Sequence, residues 1–145
     1  MFRIGIIGAG WIAHKMTLAL GYTDEACVYA IASRSEDKAR SFAEEHGIPM
    51  AYGSYEAMLD DPEVDLVYIA TPHSHHFAHA MLALEHGKPV LVEKAFTANA
   101  KEAKILIDTA RNKGLFITEA IWTRYMPLSL MQHKILKVKH LLSYC

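Results

Sequence analysis

Cysteine is nearly missing from this chain: Cys27 and Cys145 are the only two in 145 residues. Two thiols cannot build the disulfide framework of a small secreted domain, and they read as free thiols of a reducing, cytoplasmic compartment. No stretch approaches 18 uninterrupted apolar residues, so nothing in the sequence reads as a membrane span. An excess of charge is lacking too. Fifteen Lys and Arg oppose sixteen Asp and Glu, for a net charge of −1, which leaves no electrostatic footprint for nucleic acid or an anionic membrane. Met1–Ala13 is apolar but is broken by three glycines and has Arg3 as its one early basic residue, unlike a signal peptide. What is abundant is apolar residue, 52% against 21% charged, a balance that excludes intrinsic disorder. At 16.2 kDa the chain is the size of one domain with a sizeable core.

Short apolar runs alternate with longer amphipathic stretches. Strands are expected at Phe2–Gly8, Ala26–Ser33, Met50–Tyr52, Leu66–Ala70, Pro89–Val92 and Leu115–Ala120. The run LVYIA at 66–70 suits a strand buried on both faces, as in a parallel sheet covered by helices. Helices are expected at Trp11 to about Leu20, Glu36–His46, about Tyr55–Leu59, 75–86 and Asn99–Lys113. The second presents Ala39, Phe42 and Ala43 on one face, the fourth Phe77, Met81 and Leu84, and the fifth Ala103, Leu106, Ile107 and Ala110. Three of them close on Gly47, Gly87 and Gly114, where glycine takes the left-handed conformation at little cost. Strand–helix alternation of this kind gives a doubly wound α/β fold, a parallel sheet of about six strands with helices on both faces. Residues 120–145 hold Arg124, Lys134, Lys137 and Lys139 and no acid, so they carry +4 against −5 for the remainder. A helix over 126–142 would place Leu128, Met131, Ile135, Val138 and Leu142 on one side.

Gly8-Ala9-Gly10-Trp11-Ile12-Ala13 fits G-x-G-x-x-A between a strand and a helix. Gly8 permits the tight turn, Gly10 lets backbone amides approach a pyrophosphate, and Ala13 allows close helix–strand packing. The other readings are a glycine turn that serves packing alone and the nucleoside site of a transferase. The second strand ends in Ala32-Ser33-Arg34-Ser35, without the acid that usually holds the ribose 2′-hydroxyl of NAD. Ser33 can donate to a 2′-phosphate, Arg34 can pair with it, and Lys38 lies one helical turn on. NADP is therefore favoured, while Glu36 and Asp37 keep NAD open, as does the plainer reading of a solvated loop.

Ligands of open α/β sheets sit beyond the carboxyl ends of the strands. Thr71-Pro72-His73-Ser74-His75-His76 follows the fourth strand, and His79 follows that. His75 and His79 have the i, i+4 spacing of a zinc pair, but no Cys or carboxylate lies near in sequence, so no metal is expected and cofactor contact by His76 is favoured. Glu93-Lys94 ends the fifth strand. A lysine there can hydrogen-bond a carbonyl being reduced and supply its proton; the plainer reading is a loop ion pair of little consequence.

With these residues together the chain resembles the Gfo/Idh/MocA oxidoreductase family, through Gly8–Ala13, Ala32–Ser35, Thr71-Pro72 with His76, Glu93-Lys94, and Glu119-Ala120-Ile121-Trp122-Thr123-Arg124-Tyr125. The last segment looks most like the dihydrodiol dehydrogenase branch, which uses NADP. The resemblance implies hydride transfer between NAD(P) and a sugar, cyclitol or diol hydroxyl. It puts Lys94 in the place of the catalytic lysine, Glu93 at the nicotinamide, His76, the second catalytic candidate, and Trp122 near nicotinamide and substrate, and Arg124 in the same crevice. For Trp122 and Arg124 the alternative is a linker packed on the sheet. The family motif is typically Glu-Lys-Pro, whereas Ala95 stands here. A cis bond before a non-proline residue costs about 2.5–4 kcal/mol, so a trans Lys94–Ala95 bond is expected.

Family members run to roughly twice this length, with a second domain that forms the substrate wall and commonly the oligomer interface. The expected organisation is therefore a nucleotide-binding domain over 1–120 and a linker with a truncated or aberrant tail over 121–145. A small polyol, sugar or diol substrate and a homo-oligomer are implied for the full-length form, and the isolated chain is expected to be inactive. A stand-alone non-catalytic dinucleotide-binding module, or a gene remnant, is the alternative.

Overall fold

The computed structural model describes residues 1–142, with side chains as far as Lys134. Six strands, β1 (Phe2–Ile7), β2 (Ala26–Ala32), β3 (Met50–Tyr52), β4 (Leu66–Ile69), β5 (Val90–Val92) and β6 (Ile117–Glu119), form one sheet in the order β3-β2-β1-β4-β5-β6. Every pairing is parallel. The helices are α1 (Trp11–Leu20), α2 (Glu36–His46), α3 (Tyr55–Leu59), α4 (His76–Glu85), α5 (Ala100–Lys113) and α6 (Pro127–Leu142). This is the doubly wound α/β fold expected from the alternation of elements. Boundaries differ by one or two residues, as strand ends do once pairing decides them.

Because strand side chains alternate between faces, each strand feeds two separate cores. Ile7, Val67, Ile69, Val90 and Val92 pack with Met58 and Leu59 of α3, Ala80, Ala83 and Leu84 of α4, and Leu106 and Ala110 of α5. Ile4, Ile6, Ile31, Tyr68 and Ala70 pack on the other face with Ala13 of α1 and Ala39 and Ala43 of α2. Three helix starts are capped by side chains: Ser35, Ser54 and Asn99 accept from the amides of Lys38, Ala57 and Glu102, which satisfies donors that those helices themselves leave open. The predicted closing glycines have φ of 65°, 76° and 66°.

Two details depart from the sequence reading, and the tail agrees with it. The helix expected over 75–86 begins as a 3₁₀ turn at His73–His75 and continues as α4. Ile107, expected inward, is 41% exposed: the core takes Leu106 and Ala110 from α5, and Ile107 stands outside that contact. The tail helix forms as α6, with Leu128 and Met131 exposed; the side chains of Ile135, Val138 and Leu142, and all of Cys145, lie outside the described residues. No helix among the described residues is long and apolar enough to cross a membrane.

The two neighbours on α5 should separate in a denaturation experiment. Leu106→Ala empties a fully buried site and should destabilise by about 2–5 kcal/mol, while Ile107→Ala should change stability by less than about 1 kcal/mol.

Candidate functional site

Strand order reverses direction between β1 and β4, and the chain leaves both strands there. At the end of β1, Gly8 has φ +104°, and a Cβ on it would stand 3.0 Å from Ala70 O and from Thr71 Cγ2. Both the backbone angle and the neighbouring chain exclude a side chain at that position. A Cβ on Gly10 would meet nothing within 4 Å. Gly10 is also the N-cap of α1, no side chain caps it, and the first turn of α1 contains no acid. The amides at this helix start therefore face open space with no competing acceptor, which suits a phosphate. Ala13 is fully buried against the sheet, as close packing of α1 requires. The turn fits a dinucleotide.

Beside it opens a cleft of about 780 Å³ lined by Trp11, Ile12, Thr71, His76, Glu93, Lys94 and Trp122, among others. Seven predicted residues from four separate segments thus share one space. Pro72 adjoins it at the start of the 3₁₀ turn. Arg124 belongs to the turn Trp122–Tyr125 but is not among the lining residues, whereas Tyr125 is.

The cleft floor is held by buried polar groups. Glu93 is 9% exposed; its carboxylate accepts a short hydrogen bond from the Tyr68 hydroxyl and another, at 3.0 Å, from the Lys94 amide. Burial, with the Glu93 carboxylate beside it, pushes the Tyr68 hydroxyl well above the usual phenol range, so it stays a donor. His76 is fully buried, its Nε2 2.8 Å from Thr71 O and its Nδ1 2.8 Å from Ala95 O. Both ring nitrogens are thus engaged with backbone carbonyls, tying the loop after β4 to the loop after β5. The Lys94–Ala95 peptide bond is cis, correcting the expected trans bond. The chain is fixed on both sides of it: Lys94 N donates to the Glu93 carboxylate before the bond, and the Ala95–Phe96 peptide after it is held at both ends, by His76 on Ala95 O and by the Glu119 carboxylate, which accepts from Phe96 N at 2.8 Å. Those tertiary partners override the local preference from which trans was expected.

Sequence reasoning missed Tyr68 and the role of Glu119. The signal for Tyr68 was a lone hydroxyl in an otherwise apolar strand, which requires a partner when buried; the partner sits one strand away and has no local trace.

Away from this cleft, the end of β2 carries the other predicted group. Ser33 is 9% exposed, and its hydroxyl accepts from Ser35 N at 3.4 Å. Arg34 is exposed and stands near the Tyr55 hydroxyl and His79: its charge opposes the burial that raises Tyr55, and it adds to the lowering of His79. Lys38 lines a smaller hollow with Ala9, Ser41 and Phe42, next to the glycine turn. His79 accepts or shares a hydrogen bond with Thr71 Oγ1 at 3.0 Å, and its ring lies 5.4 Å from that of His75.

Comparison with known proteins follows this geometry. The model of the GFO_IDH_MocA family, described as "Oxidoreductase family, NAD-binding Rossmann fold", matches residues 2–120. The chain belongs to the Gfo/Idh/MocA oxidoreductase family. It carries the family's NAD-binding Rossmann domain. Among curated relatives, the trans-1,2-dihydrobenzene-1,2-diol dehydrogenase of Danio rerio is 44% identical over 130 residues, 88% of this chain and 39% of the relative. The D-xylose 1-dehydrogenase (NADP(+)) of Hypocrea jecorina is 62% identical over 79 residues, 54% of this chain and 20% of that one. Among solved structures, the 3-ketoreductase KijD10 of Actinomadura kijaniata, crystallised with NADP and TDP-benzene, superposes with a TM-score of 0.86 at 34% identity, covering 94% of this chain and 42% of that one. This Gfo/Idh/MocA chain thus spans about two-fifths of the length of the dehydrogenases it matches.

Two measurements probe the floor and its rim. Tyr68→Phe leaves one oxygen of the buried Glu93 carboxylate without its donor and should cost about 1–3 kcal/mol in urea unfolding. His79 has its pKa lowered in the fold, mainly by burial and then by His75 and Arg34. The fold therefore favours its neutral form. The penalty is absent above the unfolded value of about 6.5, grows as pH falls below it, and is complete below the folded value. His79→Gln should accordingly lose less stability than the parent when unfolding at pH 7.5 is compared with unfolding at pH 5.

Proposed function

We propose that this chain is the nucleotide-binding part of an NADP-dependent oxidoreductase that moves hydride between NADP and a hydroxyl-bearing carbon of a sugar, cyclitol or diol. The observation that carries the reading is the meeting of Lys94 and Glu93 with Trp11, Ile12 and Thr71 in one cleft beside the open amides of α1. A nicotinamide ring bound there supplies the hydride acceptor or donor. The residues of the chain do the rest. Lys94 is the catalytic residue: with the nucleotide bound, its side chain would take the hydroxyl proton on oxidation and return it to the carbonyl oxygen on reduction, while the nicotinamide would accept or give the hydride. Glu93, held by Tyr68 and the Lys94 amide, keeps the end of β5 in place.

His76 serves as a positioning residue, since both its nitrogens are committed to backbone carbonyls. Trp11 and Trp122, 72% and 59% exposed, offer broad apolar faces to the ring and substrate. Ser33, Arg34 and Lys38 receive the 2′-phosphate of NADP. That preference agrees with the NADP in the D-xylose 1-dehydrogenase's name and in the KijD10 crystals. Arg124 acts at the rim of the crevice, and residues 1–120 are the nucleotide-binding domain, with a linker segment starting at Ile121. The setting is the cytoplasm, and the functional form is a homo-oligomer.

Titration with NADPH and NADH, followed by nicotinamide fluorescence, tests the reading. Saturable binding with NADPH tighter by about tenfold or more is expected, and Arg34→Ala should remove most of that preference, about 1.4 kcal/mol for each factor of ten. Equal affinities in the parent chain would strip Ser33 and Arg34 of their role. Failure of the folded chain to bind either nucleotide would sink the proposal.

A further inference from the structure

On the far side of α1 from the cleft, three groups from two helices converge. Nδ1 of His14 lies 3.0 Å from Nε2 of His46, and Oε1 of Glu45 lies 4.0 Å from the first nitrogen and 3.7 Å from the second. We propose that His14, Glu45 and His46 form a binding site for a divalent cation of the zinc class. A triangle with those three sides has an in-plane point about 2.1 Å from every corner, the length of Zn–N and Zn–O bonds, and a small inward movement of the exposed Glu45 carboxylate lets an ion sit out of that plane in a tetrahedron. A proton shared by the two rings accounts for one edge of the triangle. A cation accounts for all three.

The surroundings favour the ion. His46 is the last residue of α2, before Gly47 turns the chain at φ 65°, and the carbonyl end of a helix attracts positive charge. Its side chain is 7% exposed, with its ring 4.5 Å from that of Phe42 and 4.8 Å from that of His14. One ligand is therefore already fixed by packing, so little ordering is left for binding to accomplish. Glu45 is 66% exposed and leaves a side open for water as a fourth ligand. Two imidazole nitrogens with one carboxylate oxygen suit Zn²⁺, Co²⁺ or Ni²⁺, and are a poor match for Mg²⁺ or Ca²⁺, which take oxygen ligands in larger number. The ion joins the end of α2 to the second turn of α1. Those helices begin at the phosphate turn and at Ser35 respectively, so the clamp stiffens the half of the domain that carries both.

The histidine-rich stretch 73–79 is the competing locus, and the test separates the two. Tag-free chain, stripped with chelator, is titrated with ZnCl₂ by calorimetry, with the absorption bands of bound Co²⁺ as a second readout. One Zn²⁺ per chain and a raised melting temperature are expected, with no response to MgCl₂. His14→Gln and Glu45→Gln, both at partly exposed positions, should each weaken binding by about tenfold or more. His75→Gln should leave it unchanged. Absence of saturable Zn²⁺ binding, binding that survives both His14→Gln and Glu45→Gln, or binding lost instead in His75→Gln would each overturn the proposal.

Discussion

All six strands run the same way, and the remaining features of the molecule depend on that. A parallel strand cannot return by a tight turn; each connection must cross a face of the sheet, usually as a helix. The crossings bury both faces and produce two cores instead of one. They also collect every strand-to-helix loop along a single edge. Gly8, Ser33, Thr71, Lys94 and Ala120 are far apart in sequence, yet each follows directly on a strand end or stands within two residues of one. The site is assembled by direction of chain more than by any local attraction among its members.

Division of the core follows from the same geometry. The α1–α2 face carries the glycine turn and the Ser33–Lys38 segment, whereas the α3–α5 face supports the loops that hold His76 and the Phe96 side of the Lys94 loop. The cleft lies where the two meet, at the reversal between β1 and β4. A substitution that loosens one core can therefore disturb one half of the site while the other keeps its shape. Tyr68 is an exception: its ring belongs to the α1–α2 core while its hydroxyl holds Glu93 on the next strand.

Much of this was legible in the residues alone. The apolar run 66–70, the glycine turn and the three closing glycines each declare their structure locally, because backbone freedom and side-chain period act within a few residues. The positions of Lys94 and Glu93 followed from the rule that strand ends line the crevice. What local reading could not reach were relations across strands. The Tyr68–Glu93 bond spans 25 residues and the Phe96–Glu119 bond 23, and nothing near either partner marks the other. The cis Lys94–Ala95 bond belongs with these, since the peptide that follows it is held by groups from α4 and β6. Ile107 failed for a different reason: helical spacing gives the direction of a face but not the width that the neighbouring layer will cover.

The buried ring of His76 spans two loops, presenting one nitrogen to each. Thr71, whose carbonyl takes one of those bonds, also stands 3.0 Å from where a Cβ on Gly8 would be. Contact thus runs unbroken from the turn after β1, through the loop after β4 and the imidazole, to the backbone that carries Lys94. The distance between the phosphate turn and the backbone of Lys94 is therefore set by packed protein, and a change at either end is felt at the other.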